Sequence, residues 1–153
     1  MLLILTVLCI IRLEPTREVY GHFACDCMEG SCSRMFEITT RTIHIDTTSF
    51  CNDRKQGEKL TMQSHLQIDI KQDDNSDDYK LTVPLIMLLD PRNVFGCPDC
   101  LDQGGSYFEF TLLGTTRHFE VEKGKEPIYF SSLTEQIASK FLDIDNRVKK
   151  NSR

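Results

Sequence analysis

Tryptophan is absent from the 153 residues, and the 8 glycines and 5 prolines gather into no linker. Nothing in the composition therefore divides the chain, and one domain is expected. No apolar run reaches the roughly 20 residues that a membrane-spanning helix requires. Positive charge is in deficit, with 18 Lys and Arg against 23 Asp and Glu and a net charge of −5. That balance argues against phosphate-backbone binding as the main activity. A Gly-rich phosphate loop, a nucleophile elbow and a His-Glu-x-x-His signature are all missing.

What the N-terminus does contain is an uncharged apolar run over 2–11, from Leu2 to Ile11. It is too short to cross a bilayer and suits the apolar heart of a signal peptide. No Lys or Arg precedes it, and the polar stretch from Arg12 to Tyr20 is long for a cleavage region. Val19-Tyr20-Gly21 supplies small-residue cleavage chemistry, so residues 1–21 are expected to form a leader. A domain over 22–148 and a basic tail over 149–153 would follow. Arg12, Arg17, Glu14 and Glu18 cancel, so the remaining chain keeps its charge of −5. The expected location is exported: periplasmic, cell-envelope or secreted. Membrane contact would come only through the leader or a lipid anchor. For the anchor, Cys9 follows Leu8 and Cys25 follows Ala24, and neither has the full flanking pattern.

Export decides how the cysteines are read. Removing the leader takes Cys9 and leaves Cys25, Cys27, Cys32, Cys51, Cys97 and Cys100. An even number in an oxidising compartment reads as three disulfides, although six cysteines allow about 15 connectivities. Cys97-Pro98-Asp99-Cys100 can close a tight turn as a local pair. A thioredoxin-type site would need a helix after the second cysteine, and Leu101-Asp102-Gln103-Gly104-Gly105 is turn chemistry. A zinc site would join Cys97 and Cys100 to two further ligands, yet Cys25-x-Cys27-x4-Cys32 is unlike the paired knuckles of strong zinc motifs. No cofactor is expected, and structural zinc or redox use of the cysteines stands as the alternative reading.

The pattern runs strands first, helix last, which predicts an α+β domain: a small antiparallel sheet of about four to six strands, with the C-terminal helix packed on it. Clean alternation predicts a strand over 59–71. Residues 35–46 are strand-like but slip phase between Phe36, Ile38 and Ile43, Ile45, which predicts a bulge near Thr39–Thr42. Phe108, Phe110 and Leu112 pair with Phe119 and Val121 as a hairpin over 107–121, joined by Leu113-Gly114-Thr115-Thr116. Ser132 and Glu135 form a capping box for a helix over 132–148, with Leu133, Ile137, Phe141, Ile144 and Val148 on one face. The segment 84–90 reads as either a buried strand or a short helix begun at Pro84.

Among polar constellations, Asp73, Asn75 and Asp77 match the first ligands of a calcium loop. Asp78 and Pro84 break that pattern at its sixth and twelfth positions, which leaves a solvated acidic tip. His44 and His65 are placed to face one another across neighbouring strands. Asp99, Asp102 and His118 are the only residues that suggest an enzyme, and the balance leans against one.

The stretch Phe95-Gly96-Cys97-Pro98-Asp99-Cys100-Leu101-Asp102-Gln103-Gly104-Gly105, followed by Tyr107-Phe108-Glu109-Phe110, resembles a motif of small uncharacterised exported proteins and lipoproteins of bacteria. In them such a turn leads into a β-hairpin and a closing helix. The resemblance covers about the last 60 residues, implies a cell-envelope location and carries no activity with it. Asp99, Asp102, Gly104 and Gly105 are candidates for an exposed interaction turn, stiffened by Cys97 and Cys100. The expected function is a binding module with a protein partner in the cell envelope and no nucleic acid.

Overall fold

The apolar alternation of the chain builds one mixed sheet with a helix across it. The computed structural model describes residues 12–23, 33–39, 42–46, 56–62, 66–69, 80–98, 100 and 104–151. Strands β2 (Arg17–Phe23), β3 (Arg34–Ile38), β4 (Thr42–Asp46), β5 (Leu66–Asp69), β7 (Val94–Phe95), β8 (Gly105–Leu112) and β9 (Thr115–Val121) lie in the order β5-β4-β3-β2-β8-β9-β7. The α+β class is therefore as expected, but the sheet is larger than expected and is not wholly antiparallel. The two-residue edge strand β7 runs parallel to β9. A separate two-residue pair joins β1 (Arg12–Leu13) to β6 (Val83–Pro84).

Strand β2 sits in the middle, bonded to β3 on one side and β8 on the other. Its residues 17–21 belong to the stretch assigned above to a leader. Tyr20 and Val19 are buried there, and Gly21 lies so close to β3 that a Cβ would stand 2.0 Å from the Arg34 carbonyl oxygen. A cut after Gly21 would remove most of this central strand.

The phase slip over 35–46 is a chain reversal and not a bulge. Phe36 pairs with Ile45 and Ile38 with Ile43, so an antiparallel register puts even and odd positions on the same face. The Thr39 amide donates to the Thr42 carbonyl at 3.0 Å, and the Thr39 hydroxyl accepts from the Thr42 amide. Of the predicted strand over 59–71, residues 63–65 and 70–71 lie outside the described residues. Leu66–Asp69 pairs with β4, whereas 56–62 leaves the ladder and crosses the sheet as a strap. The hairpin β8–β9 is as read, turning on Leu113 and Gly114 with φ of 51° and 77°. Positive φ at both central residues is the primed turn that suits strand twist.

Helix α1 (Ser131–Asn151) follows a 3-10 turn at Ile128–Phe130, one residue ahead of the predicted cap. The Ser131 hydroxyl donates to the Ile128 carbonyl at 2.9 Å, which continues that turn into the helix. Leu133 and Ile144 are buried, with Ile137 and Phe141 packed beside them against Tyr20, Phe36, Phe110, Phe119 and Phe130. Phe141 meets Phe36 edge-on at 4.9 Å, and Arg34 pairs with Asp145. The side chain of Val148 lies outside the described residues. Residues 84–90 combine both expected forms: Pro84 closes β6 and starts a 3-10 turn at Leu85–Leu88 that buries Met87. No described helix is long and apolar enough to cross a membrane.

Candidate functional site

The turn that launches β8 is anchored at both ends. Cys97 and Cys100 lie at disulfide distance with Cα atoms 5.4 Å apart, inside the usual range for a bridge. The Cys100 amide donates to the Cys97 carbonyl at 3.2 Å, closing the turn between them. The Cys97 amide donates to the Glu122 carboxylate at 2.8 Å, which ties the start of the turn to the chain just after β9. At the far end Gly104 adopts φ 71°, and a Cβ there would stand 2.5 Å from the Phe23 carbonyl oxygen. A Cβ on Gly105 would meet Pro98 at 2.6 Å. Both glycines are buried, contrary to the expected exposed turn, because they are required for the turn to pack against the end of the central strand. Asp99 and Asp102 lie outside the described residues, as do Cys25, Cys27, Cys32, Cys51, His65 and the acidic segment 73–78.

The sheet face opposite the helix holds a second cluster, which the alternation pattern did not reveal. One cross-strand row reads His44, Glu37, Val19, Glu109 and His118 from β4 to β9. Arg17 donates to both Glu37 and Glu109. Lys59 reaches Glu109 at 3.1 Å, and the Tyr107 hydroxyl donates to it at 2.8 Å. Glu109 is 1% exposed. Burial pushes its carboxyl up, but the bonds from Tyr107, Arg17 and Lys59 outweigh burial and hold it below the usual carboxylate range.

These side chains fasten the strap. The Leu60 amide donates to the Tyr107 hydroxyl at 3.2 Å, and the Gly57 amide to Glu120 at 3.1 Å. The Gly57 carbonyl accepts from Asn93 and from Nε2 of His118, each at 2.9 Å. Leu60 and Met62 then cover Val19, Phe23, Met35 and Tyr107. His118 thus spends Nε2 as a donor to a main-chain carbonyl, and that atom is no base in this arrangement. Glu109, opposite His118, lies four residues along β8 from Gly105, roughly 13 Å at strand spacing. Asp99 and Asp102, the other two residues of the enzyme reading, lie outside the described residues. The His44 ring bonds the Thr42 hydroxyl at 3.0 Å.

A third cluster joins the loop before β7 to the start of the helix. Asp90 accepts twice from the Arg92 side chain, at 2.9 and 2.7 Å, and also from the Tyr129 hydroxyl. The Arg92 guanidinium, with Tyr129, holds Asp90 well below the usual carboxylate range despite burial. Burial, then Asp90 itself, pushes the Tyr129 phenol up to about 12. Arg92 and Arg117 also lie over Phe95 and Phe119 at 4.9 and 5.5 Å from the ring centres.

On the helix side, Glu18 is 1% exposed and takes the Leu81 amide on both carboxylate oxygens, at 2.8 and 3.0 Å. Burial pushes it up to about 8, against the Leu81 amide and the more distant Lys140 and Lys80. Sequence reasoning passed over both buried glutamates. The signal for Glu109 was Tyr107 on the same strand face, an aromatic sharing a side with a charge. Among the described residues no group of three or more His, Cys, Asp or Glu is placed to hold a metal ion. Comparison with protein-family models, with curated proteins and with solved structures gives no match.

Proposed function

We propose that the chain is an exported binding module of the bacterial cell envelope that docks on a protein partner through its stapled turn, around exposed Cys97 and Cys100. The observation that carries this reading is the anchoring of that turn. Its start is tied to Glu122, its middle is closed at Cys97 and Cys100, and its end is wedged by Gly104 and Gly105 against Phe23 and Pro98. Anchors on both sides of a turn reduce the conformational freedom it has to lose on docking, which is what a recognition loop needs. The apolar leader run and the resemblance of the turn to those of exported bacterial proteins support the location.

The main polar clusters support binding over catalysis. Glu109 and His118 are spent on the strap, Arg17 on Glu37 and Glu109, and Asp90 and Arg92 on the helix junction.

Site-specific photo-crosslinking tests the reading, with the photoreactive residue placed at Asp99 or Asp102 and, as a control, at exposed Ser139 on the helix. A discrete protein adduct in the envelope fraction is expected from positions 99 and 102 and not from 139. No adduct from the turn, or the same adducts from all three positions, would count against docking there. Recovery of the folded chain in the cytoplasm alone would remove the envelope location.

A further inference from the structure

We propose that Cys97 and Cys100 form a thiol–disulfide exchange site, reacting reversibly with small thiols and with protein dithiols. This does not rest on the docking role of the turn. Cys97 and Cys100 are both exposed, while Pro98 between them is buried. The bridging residues therefore face solvent and the turn keeps its own packed anchor.

Two further features make the bridge reversible. First, it closes a ring across a sequence separation of only 3. So short a loop restricts the unfolded chain less than a long one, and the fold depends little on it. Second, contacts other than the bridge also tie the turn whose two Cα atoms lie 5.4 Å apart. They are the Cys97 amide on Glu122, the Cys100 amide on the Cys97 carbonyl, and Gly105 beneath Pro98. With these in place the opened thiols stay side by side, and reclosure is favoured by proximity. Among the described residues no helix follows the pair, and Gly105 opens β8. The site is thus an exchange partner and lacks the helix N-terminus of a dithiol oxidoreductase.

The chemistry balances in two steps. A thiolate from the reductant attacks one sulfur, forming a mixed disulfide and releasing the other cysteine as a thiolate. A second reductant thiolate then attacks the mixed disulfide, forming the reductant's own disulfide and freeing the remaining cysteine. Two electrons and two protons end on Cys97 and Cys100.

Trypsin isolates the site, because residues 93–117 contain no Lys or Arg before Arg117 and no cysteine besides these two. The folded full chain is equilibrated across a series of reduced and oxidised glutathione ratios, quenched in acid and alkylated, and that peptide is weighed. The expected result is a reversible transition within the glutathione series, reached from either direction, with the reduced chain still melting cooperatively. A peptide that stays oxidised until the chain is denatured would overturn the proposal. So would loss of the folded state on reduction of this pair alone, because the bridge would then be a structural staple.

Discussion

Replacing Glu18 by Gln should make the protein more stable in alkaline solution and almost indifferent to pH between 5 and 9. Glu18 lies on the central strand, 1% exposed, with both side-chain oxygens on the Leu81 amide. Burial raises it from 4.5 to about 8, opposed by the Leu81 amide, Lys140 and Lys80 and assisted by Glu14. A carboxyl that holds its proton more tightly when folded makes the native state the more protonated one between those two values. Stability then falls as pH rises through that window, being complete below about 4.5 and fully lost above about 8. At about 1.4 kcal/mol for each tenfold change in proton affinity, the loss is on the order of 3–5 kcal/mol.

Glutamine is neutral throughout, and its carbonyl accepts the Leu81 amide as the protonated acid does. Urea unfolding of the wild-type chain and Glu18→Gln at pH 5, 7 and 9 measures the difference directly. The two should lie close together at pH 5 and separate by several kcal/mol at pH 9, a shift in Tm on the order of 10 °C. Curves that remain parallel from pH 5 to 9 would refute the buried, proton-holding carboxyl.

Other substitutions probe separate parts of the fold. Leu113 carries a positive φ and is 76% exposed at the tip of the β8–β9 hairpin, so Leu113→Asn should stabilise by about 0.5–1 kcal/mol; a lower Tm would contradict the primed turn. A Cβ at residue 21 would press on the Arg34 carbonyl and on Met35 Sδ at 2.7 Å, and Gly21→Ala should cost about 3 kcal/mol or more in urea unfolding. Glu109→Ala should cost about 3 kcal/mol, moderated because Arg17 keeps 35% side-chain exposure and can rehydrate. Since Glu109 is held below its ordinary value, its stabilisation is present above pH 4.5 and is lost as the solution is acidified below that. The acid limb of the stability curve should flatten in that variant.

The amphipathic helix and the closing hairpin were legible because a single period governs each. Leu133, Ile137, Phe141 and Ile144 recur at helical spacing, and all reach the core. The phase slip over 35–46 was visible too, but periodicity cannot tell an extra residue in a strand from a reversal of its direction. Only the register of Phe36 with Ile45 decides between them. The strap was read as strand for a related reason: Leu60 and Met62 alternate with polar residues whether they face a core by pairing in a ladder or by lying across one. Glu109 looks like a solvent position in a two-faced strand, and Glu18 falls within the stretch read as a leader. They are buried because both faces of the central strands are covered, by segments distant in sequence. At the turn, the sequence showed the cysteines and glycines, whereas the partners Glu122 and Phe23 come from chain reversals that no local pattern records.

The central place of β2 bears on how an exported form would be processed. A leader boundary after Gly21 joins His22 to the new N-terminus and discards Arg17, Glu18, Val19 and Tyr20. With them go the ion pair to Glu109, the anchor for Leu81 and two buried side chains of the core. Strands β3 and β8 would each lose most of their ladder to β2. Arg12 and Leu13 pair with Pro84 and Val83 in addition, so strand pairing begins at the first described residue. An exported form that keeps this sheet must therefore begin at or before Arg12, directly behind the apolar run over 2–11. Intact-mass measurement of the mature chain, together with its N-terminal sequence, tests this. A cooperatively folded protein whose first residue is His22 would show that β2 is dispensable, and the sheet order described above would be wrong.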